Sequence, residues 1–182
     1  LAVPSARTVC AVEGEAYAVA VLAARMREGS LDECPVWSDV KTFDGRPWRG
    51  SVDCVISGYP CQPFSTAGKR RGAADERHLW PHVTRIIDEC RPWLVFLENV
   101  PGHVRLGLPE VAADLRRLGY VVPRPLLLEA AAIGASQRRE RLFVMAYRES
   151  RLSRGAGSGK EARDDSVSGA DMADAWGGDQ QR

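Results

Sequence analysis

The chain carries almost no net charge. Its 25 Lys and Arg residues offset 24 Asp and Glu residues and leave +1, so no global basic field draws it to a polyanion. Any such binding must rest on a local patch, for which Lys69-Arg70-Arg71 and Arg138-Arg139-Glu140-Arg141 are candidates. It has no apolar run of membrane length and no secretory leader, so the expected setting is cytoplasmic, with no membrane partner. Its five cysteines, Cys10, Cys34, Cys54, Cys61 and Cys90, are odd in number and irregularly spaced. That excludes a regular disulfide framework. No Cys-x-x-Cys pair or Cys/His cluster suggests zinc, and no metal is expected. His78, His82 and His103 lack ligand spacing and are given no catalytic role. No internal repeat occurs. The chain starts at Leu1 rather than Met and enters a strand-like segment almost at once, which reads as a fragment lacking its natural beginning.

What is present suits one α/β domain. A chain of 182 residues, 45% of them hydrophobic, is long enough for a real core. Thr8 to Val12, Val36 to Val40, Val52 to Ser57, Trp93 to Leu97 and Leu142 to Ala146 read as strands. Glu15 to Arg27 reads as a helix with Ala16, Val19, Leu22, Ala23 and Met26 on one face. Leu79, Val83, Ile86, Ile87 and Cys90 form a second helical stripe, stopped by Arg91-Pro92. Pro109 opens a third helix, which Gly119 ends. Tyr120 to Glu129 is extended. Strands alternating with helices predict a sheet covered on both faces. The folded domain spans residues 1–148 and reads as partial. Residues 149–182, rich in Gly, Ser, Asp and Arg, cannot offset their ordering entropy and read as a disordered tail or an incomplete insertion.

Pro60-Cys61-Gln62-Pro63-Phe64-Ser65 is the most telling stretch. It places a cysteine between prolines just past an apolar strand. Glu98-Asn99-Val100 follows another apolar strand and sets a carboxyl group at its end. A thiol and an acid so placed suggest covalent catalysis. Cys10, Cys54 and Cys90 lie in apolar runs and read as buried filler.

These two stretches, followed by Gln137-Arg138-Arg139-Glu140-Arg141, resemble in order three signature motifs of the DNA (cytosine-5)-methyltransferases. The resemblance runs from about Thr8 to Tyr147. It implies a Rossmann-like mixed sheet with helices on both faces and S-adenosylmethionine (SAM) as cofactor. By the same resemblance Glu13, ending the first visible strand, binds the two ribose hydroxyls. Asp39 accepts from the adenine amino group, Val40 lies beside the ring, and Leu79 is a further SAM contact. Where the family often packs an apolar or aromatic residue on the adenine, this chain has Gly14. The family's Phe-x-Gly-x-Gly-like opening loop is absent, and so are its first strand, which sits mid-sheet, and its target-recognition region. The missing strand implies unpaired backbone edges and an open apolar slot.

The resemblance assigns the chemistry to Cys61, Glu98, Asn99, Arg139 and Arg141. Cys61 adds at C6 of cytosine, and Glu98, with a pKa raised by apolar surroundings, bonds N3. Asn99 orients the backbone or the base, and Arg141 with Arg139 binds the cytosine carbonyl oxygen or stabilises developing charge. The base must be flipped out of the duplex. Ser65, Lys69, Arg70 and Arg71 meet phosphates. The implied partners are DNA and a cognate restriction endonuclease of a bacterial or phage modification system, with the protein a monomer. Two other readings remain open at this point: an RNA cytosine methyltransferase, and a catalytically silent fragment that binds nucleic acid.

Overall fold

The structure is a computed structural model and describes residues 6–60 and 79–149. In chain order these form β1 (Ala11–Val12), α1 (Ala16–Arg27), β2 (Val36–Trp37), a 3-10 turn (Arg46–Trp48), β3 (Cys54–Ser57), α2 (Trp80–Cys90), β4 (Leu94–Asn99), α3 (His103–Leu106), α4 (Leu108–Arg117), β5 (Leu126–Glu129), a second 3-10 turn (Ala130–Ile133) and β6 (Glu140–Tyr147). The expected tail, residues 149–182, lies outside the described residues beyond Glu149.

Local chemistry sets the helix ends. The Glu15 carboxylate accepts from the Ala18 N–H at 2.7 Å and caps α1, and Gly29 leaves the helix at φ +72°. Pro81 lies in the first turn of α2, where its missing N–H costs nothing. Arg91 closes α2 in the left-handed region at φ 54°. A non-glycine residue there costs about 1–2 kcal/mol. Pro92 follows at once, buried, and forbids further helix.

The strands form an α/β fold in two pieces. β1 pairs with β2 in parallel, Val12 opposite Trp37. The larger sheet has the order β3-β4-β6-β5. In it β3 and β4 are parallel, with Ser57 opposite Leu97, and β6 runs antiparallel to both β4 and β5. Among the described residues no strand joins β1 to β3.

Alternation along the strands decides what the larger sheet buries. Val95, Leu97 and Asn99 of β4 share one face with Leu142, Val144 and Ala146 of β6, and all six are buried. Val83 and Ile87 of α2 and Val111 and Leu115 of α4 pack onto that face. Each such side chain contributes about 1.5–3 kcal/mol. The opposite face carries Ile56, Phe96, Phe143, Met145, Leu126 and Leu128, of which Ile56, Met145, Leu126 and Leu128 are exposed. A second, smaller cluster of Phe43, Ile86 and Cys90 packs with Cys10, Val40 and Trp48. Helix α2 therefore serves both parts of the fold, with Val83 and Ile87 toward one and Ile86 and Cys90 toward the other.

Some boundaries differ from the sequence expectation. Only two residues of each expected N-terminal strand pair, because each has a ladder on one side alone. Helix α1 forms where expected, but none of its residues is buried. Its apolar stripe has no fully covering layer among the described residues. Strand β4 continues through Glu98 and Asn99, and β6 starts at Glu140. Glu98 and Arg141 thus stand on ladder-paired backbone rather than beyond strand ends.

Candidate functional site

The parallel register of β3 and β4 brings their carboxyl ends side by side. Ser57 faces Leu97, so Gly58 arrives beside Glu98. A Cβ on Gly58 would lie 3.3 Å from Glu98 Oε2; glycine lets the chain pass that close. The next residues are Tyr59, Pro60 and Cys61. Cys61, Ser65, Lys69, Arg70 and Arg71 lie outside the described residues.

Antiparallel pairing of β4 with β6 puts Arg141 next to the same carboxylate. Arg141 Nε stands 2.7 Å from Glu98 Oε1, with the two side chains 25% and 38% exposed. Its Nη1 donates to the Glu140 carbonyl at 2.8 Å. The sequence expectation sets Glu98 in apolar surroundings. It has instead a guanidinium partner at a half-open edge, because the diagonal between β4 and β6 places Arg141 within reach. Arg139 is not part of this pair: it precedes β6, is exposed, and gives its carbonyl to Ala130 N–H at 2.9 Å. Asn99 is buried. Its Nδ2 donates to the Tyr59 carbonyl at 3.1 Å and its Oδ1 accepts from Val100 N–H at 2.9 Å. These two bonds tie Asn99 to backbone on both sides.

The four described cysteines make poor nucleophiles. Burial pushes the thiols of Cys10, Cys34 and Cys54 up, and takes Cys90 to about 11. Of these four only Cys90 is fully buried; Cys10 and Cys54 are half-buried, so the filler reading holds best for Cys90.

Of the expected cofactor residues, Glu13, Asp39 and Val40 follow the carboxyl ends of β1 and β2, where ligands of parallel sheets bind, whereas Leu79 stands at the start of α2. Glu13 Oε1 accepts from Glu15 N–H at 2.8 Å, and Asp39 Oδ1 accepts from Lys41 N–H at 2.9 Å. Each carboxylate is thus oriented by its own turn through one oxygen, and its second oxygen suits a hydroxyl or amino donor. Val40 leans on the Phe43 cluster rather than standing clear of it. Leu79 packs on the main core and gives its carbonyl to His82 and Val83 N–H. Arg85, which no sequence motif marks, fixes the Asp39 turn from behind. Its guanidinium donates to the carbonyls of Phe43 at 2.7 Å and Val40 at 3.0 Å and pairs with Glu89 at 2.9 Å.

Gly14 has a steric reason. A Cβ there would fall 2.9 Å from the Ser38 carbonyl oxygen, a backbone atom that cannot rotate away. Gly14→Ala is expected to push the ends of β1 and β2 apart and to cost about 1–3 kcal/mol. Urea denaturation reads this directly, and an unchanged midpoint would show slack at the turn.

Two further residues at the site, Tyr59 and His103, are buried and bonded, phenol oxygen to Nε2, at 2.7 Å. Burial lowers the imidazole to about 4 from an ordinary 6.5. The unfolded chain then binds more protons between these values, so stability rises with pH there. The contribution is complete above pH 6.5 and is lost as pH falls through 4, by about 3 kcal/mol. Unfolding free energies at pH 7.5 and pH 4 should show the drop, and His103→Gln should remove that share of it. An equal drop in both proteins would assign it to other groups.

Comparison with known proteins identifies the family. Residues 2–170 match the family described as C-5 cytosine-specific DNA methylase. The chain is 36% identical over 122 residues to the Type II methyltransferase M.NgoMIV of Neisseria gonorrhoeae, covering 63% of this chain and 38% of that protein. It is 41% identical over 98 residues to M.AplI of Arthrospira platensis, covering 52% of this chain and 28% of the other. Among solved structures, a protein described as a DNA modification methyltransferase encoded within an E. coli prophage superposes with a TM-score of 0.64 at 25% identity. That match covers 80% of this chain and 41% of the other. The chain therefore spans about a third of the length of the curated relatives it matches. The matched stretch contains Glu13, Asp39, Cys61, Glu98 and Arg141, and the chain belongs to the C-5 cytosine-specific DNA methylase family.

Proposed function

We propose that the chain carries the chemical centre of a DNA cytosine-C5 methyltransferase that draws its methyl group from SAM. The observation that carries this reading is the Glu98–Arg141 pair at 2.7 Å, beside the Gly58-Tyr59-Pro60 segment that runs into Cys61. When bound, SAM supplies an electrophilic methyl group. Glu13 and Asp39, each oriented by a backbone N–H of its own turn, would hold its ribose and adenine, with Val40 and Leu79 alongside. No helix among the described residues is long and apolar enough to cross a membrane. The setting proposed is a cytoplasmic, monomeric modification enzyme with a cognate restriction endonuclease as partner.

The chain's own groups then do the following. The Cys61 thiolate donates its electron pair to C6 of a flipped cytosine, forming an S–C6 bond. The C5–C6 π pair moves toward C5, and negative charge spreads to N3. Glu98, taking up a proton from solvent as the base enters, gives it to N3 and so absorbs that charge. Arg141, held by Glu98 and by the Glu140 carbonyl, has N–H groups left for the cytosine carbonyl oxygen. Asn99 holds the Tyr59 carbonyl and with it the course of the chain toward Cys61. Once C5 has gained its substituent, a water takes the C5 proton, the C5–H pair re-forms the C5–C6 double bond, the S–C6 pair returns to sulfur, and N3 returns its proton to Glu98. Arg139, Ser65, Lys69, Arg70 and Arg71 serve phosphates and base on the same reading.

The test is trapping on 5-fluorocytosine. Fluorine cannot leave C5 as a proton does, so the S–C6 bond persists and survives denaturing electrophoresis. A SAM-dependent adduct on DNA is expected. An adduct on RNA alone would move the substrate class, and none on either would favour the silent fragment.

A further inference from the structure

We infer that Tyr59 and His103 are positioning residues, which set the course of the chain into Cys61 through a buried phenol–imidazole bond. This rests on the proposed function only in naming Cys61 as the group positioned. The geometry is local. Among the described residues, Tyr59 is held at its carbonyl by Asn99 Nδ2 at 3.1 Å, at its hydroxyl by His103 Nε2 at 2.7 Å, and at its ring by Trp80 at 5.2 Å between centroids. The His103 ring meets the Tyr59 ring edge-on at 5.5 Å. Trp80 is itself tied to α4, its Nε1 donating to Asp114 Oδ2 at 2.8 Å. Tyr59 thereby links the end of β3 to the end of β4, to α3 and to the first turn of α2.

The seat is shaped for an imidazole. A Cβ on Gly107 would fall 2.2 Å from His103 Cε1, so only glycine at that position admits the ring. Packing alone would be served by a phenylalanine at 59 and an aliphatic residue at 103. A buried hydroxyl and imidazole cost desolvation unless they bond, and what the bond adds is direction. It fixes the phenol end of a side chain whose backbone Asn99 already holds, so the peptide leaving Tyr59 has little freedom. A nucleophile misplaced by about 1 Å loses on the order of 100-fold in rate.

The experiment compares the full chain with Tyr59→Phe, His103→Leu and the double variant Tyr59→Phe/His103→Leu. Each single change strands one buried polar group; the double change removes both, so its stability should return toward wild type. Adduct formation on 5-fluorocytosine DNA, per folded molecule at saturating DNA, should fall about 10- to 100-fold in both singles and remain low in the double, with DNA affinity unchanged. A role in stability alone would restore the rate together with stability in the double variant, and that result, or wild-type rates in the singles, overturns the inference. Hydrogen exchange of the segment 54–60 reads the same clamp without catalysis. It should be about 10-fold faster in all three variants than in the wild type, while α4 is unaffected. Unchanged exchange overturns the inference. Failure of the wild-type chain to form any adduct counts against the proposed function, and the exchange result then decides the clamp.

Discussion

Cys61→Ala is expected to abolish the fluorocytosine adduct and to lower methyl transfer by at least about 10⁴-fold, as removal of a covalent nucleophile does. The four other cysteines cannot take over. Burial holds the thiols of Cys10, Cys34, Cys54 and Cys90 above their ordinary range, and none of them follows a strand end that faces an acid. Cys61 does: it comes three residues after Gly58, whose Cα passes so near Glu98 that an added Cβ would lie 3.3 Å from the carboxylate. Peptide mapping of the trapped species is the measurement. A band of wild-type intensity in Cys61→Ala, mapped to Cys54 or any other cysteine, would remove Cys61 from the mechanism.

The second large effect is chemical rather than structural. Glu98→Gln should keep the fold and DNA binding and lose about 10²- to 10⁴-fold in turnover, the usual share of a positioned acid. The Glu98–Arg141 pair is partly open to solvent at 38% and 25%, and such pairs are worth at most about 1 kcal/mol. Glutamine has the same shape and still accepts from Arg141, but it has no proton to give to N3. Single-turnover methyl transfer separates these terms: the chemical rate should fall while the DNA dissociation constant stays within about twofold. Arg141→Ala should behave alike, with some loss of base binding as well. A Glu98→Gln protein of normal rate would transfer the role to another donor, and a variant unfolded at neutral pH would show that the pair holds the sheet.

Much of this is legible in the residues alone. The apolar runs at Val52 and Trp93 and the stripe from Leu79 to Cys90 are strong periodic signals, and β3, β4 and α2 form there. The same signals bring Gly58 and Glu98 side by side at the ends of β3 and β4. What the sequence hides is pairwise geometry. Arg141 and Arg139 look alike in Gln137-Arg138-Arg139-Glu140-Arg141, and only the β4–β6 register puts Arg141 on Glu98. His103 carries no motif because its observed partner is a phenol far along the chain. Gly14 reads as the loss of a stacking contact, whereas the Ser38 carbonyl occupies the space. The apolar pattern of α1 is helical, as it proves to be, yet periodicity says which side is apolar and not whether anything covers it.

The break between β1 and β3 has a consequence for cooperativity. The β1–α1–β2 part has a two-residue ladder and a helix without a single buried residue. It is fastened to the rest by Arg85 and the small Phe43 cluster. Such a part opens at a lower free energy than the β3-β4-β6-β5 core with α2 and α4. Glu13 and Asp39 both stand on it. A cofactor they recognise would bind its closed form alone and add RT ln(1 + [L]/Kd) to its stability. Occupancy of that site and folding of the part that forms it then become a single equilibrium, set by cofactor concentration.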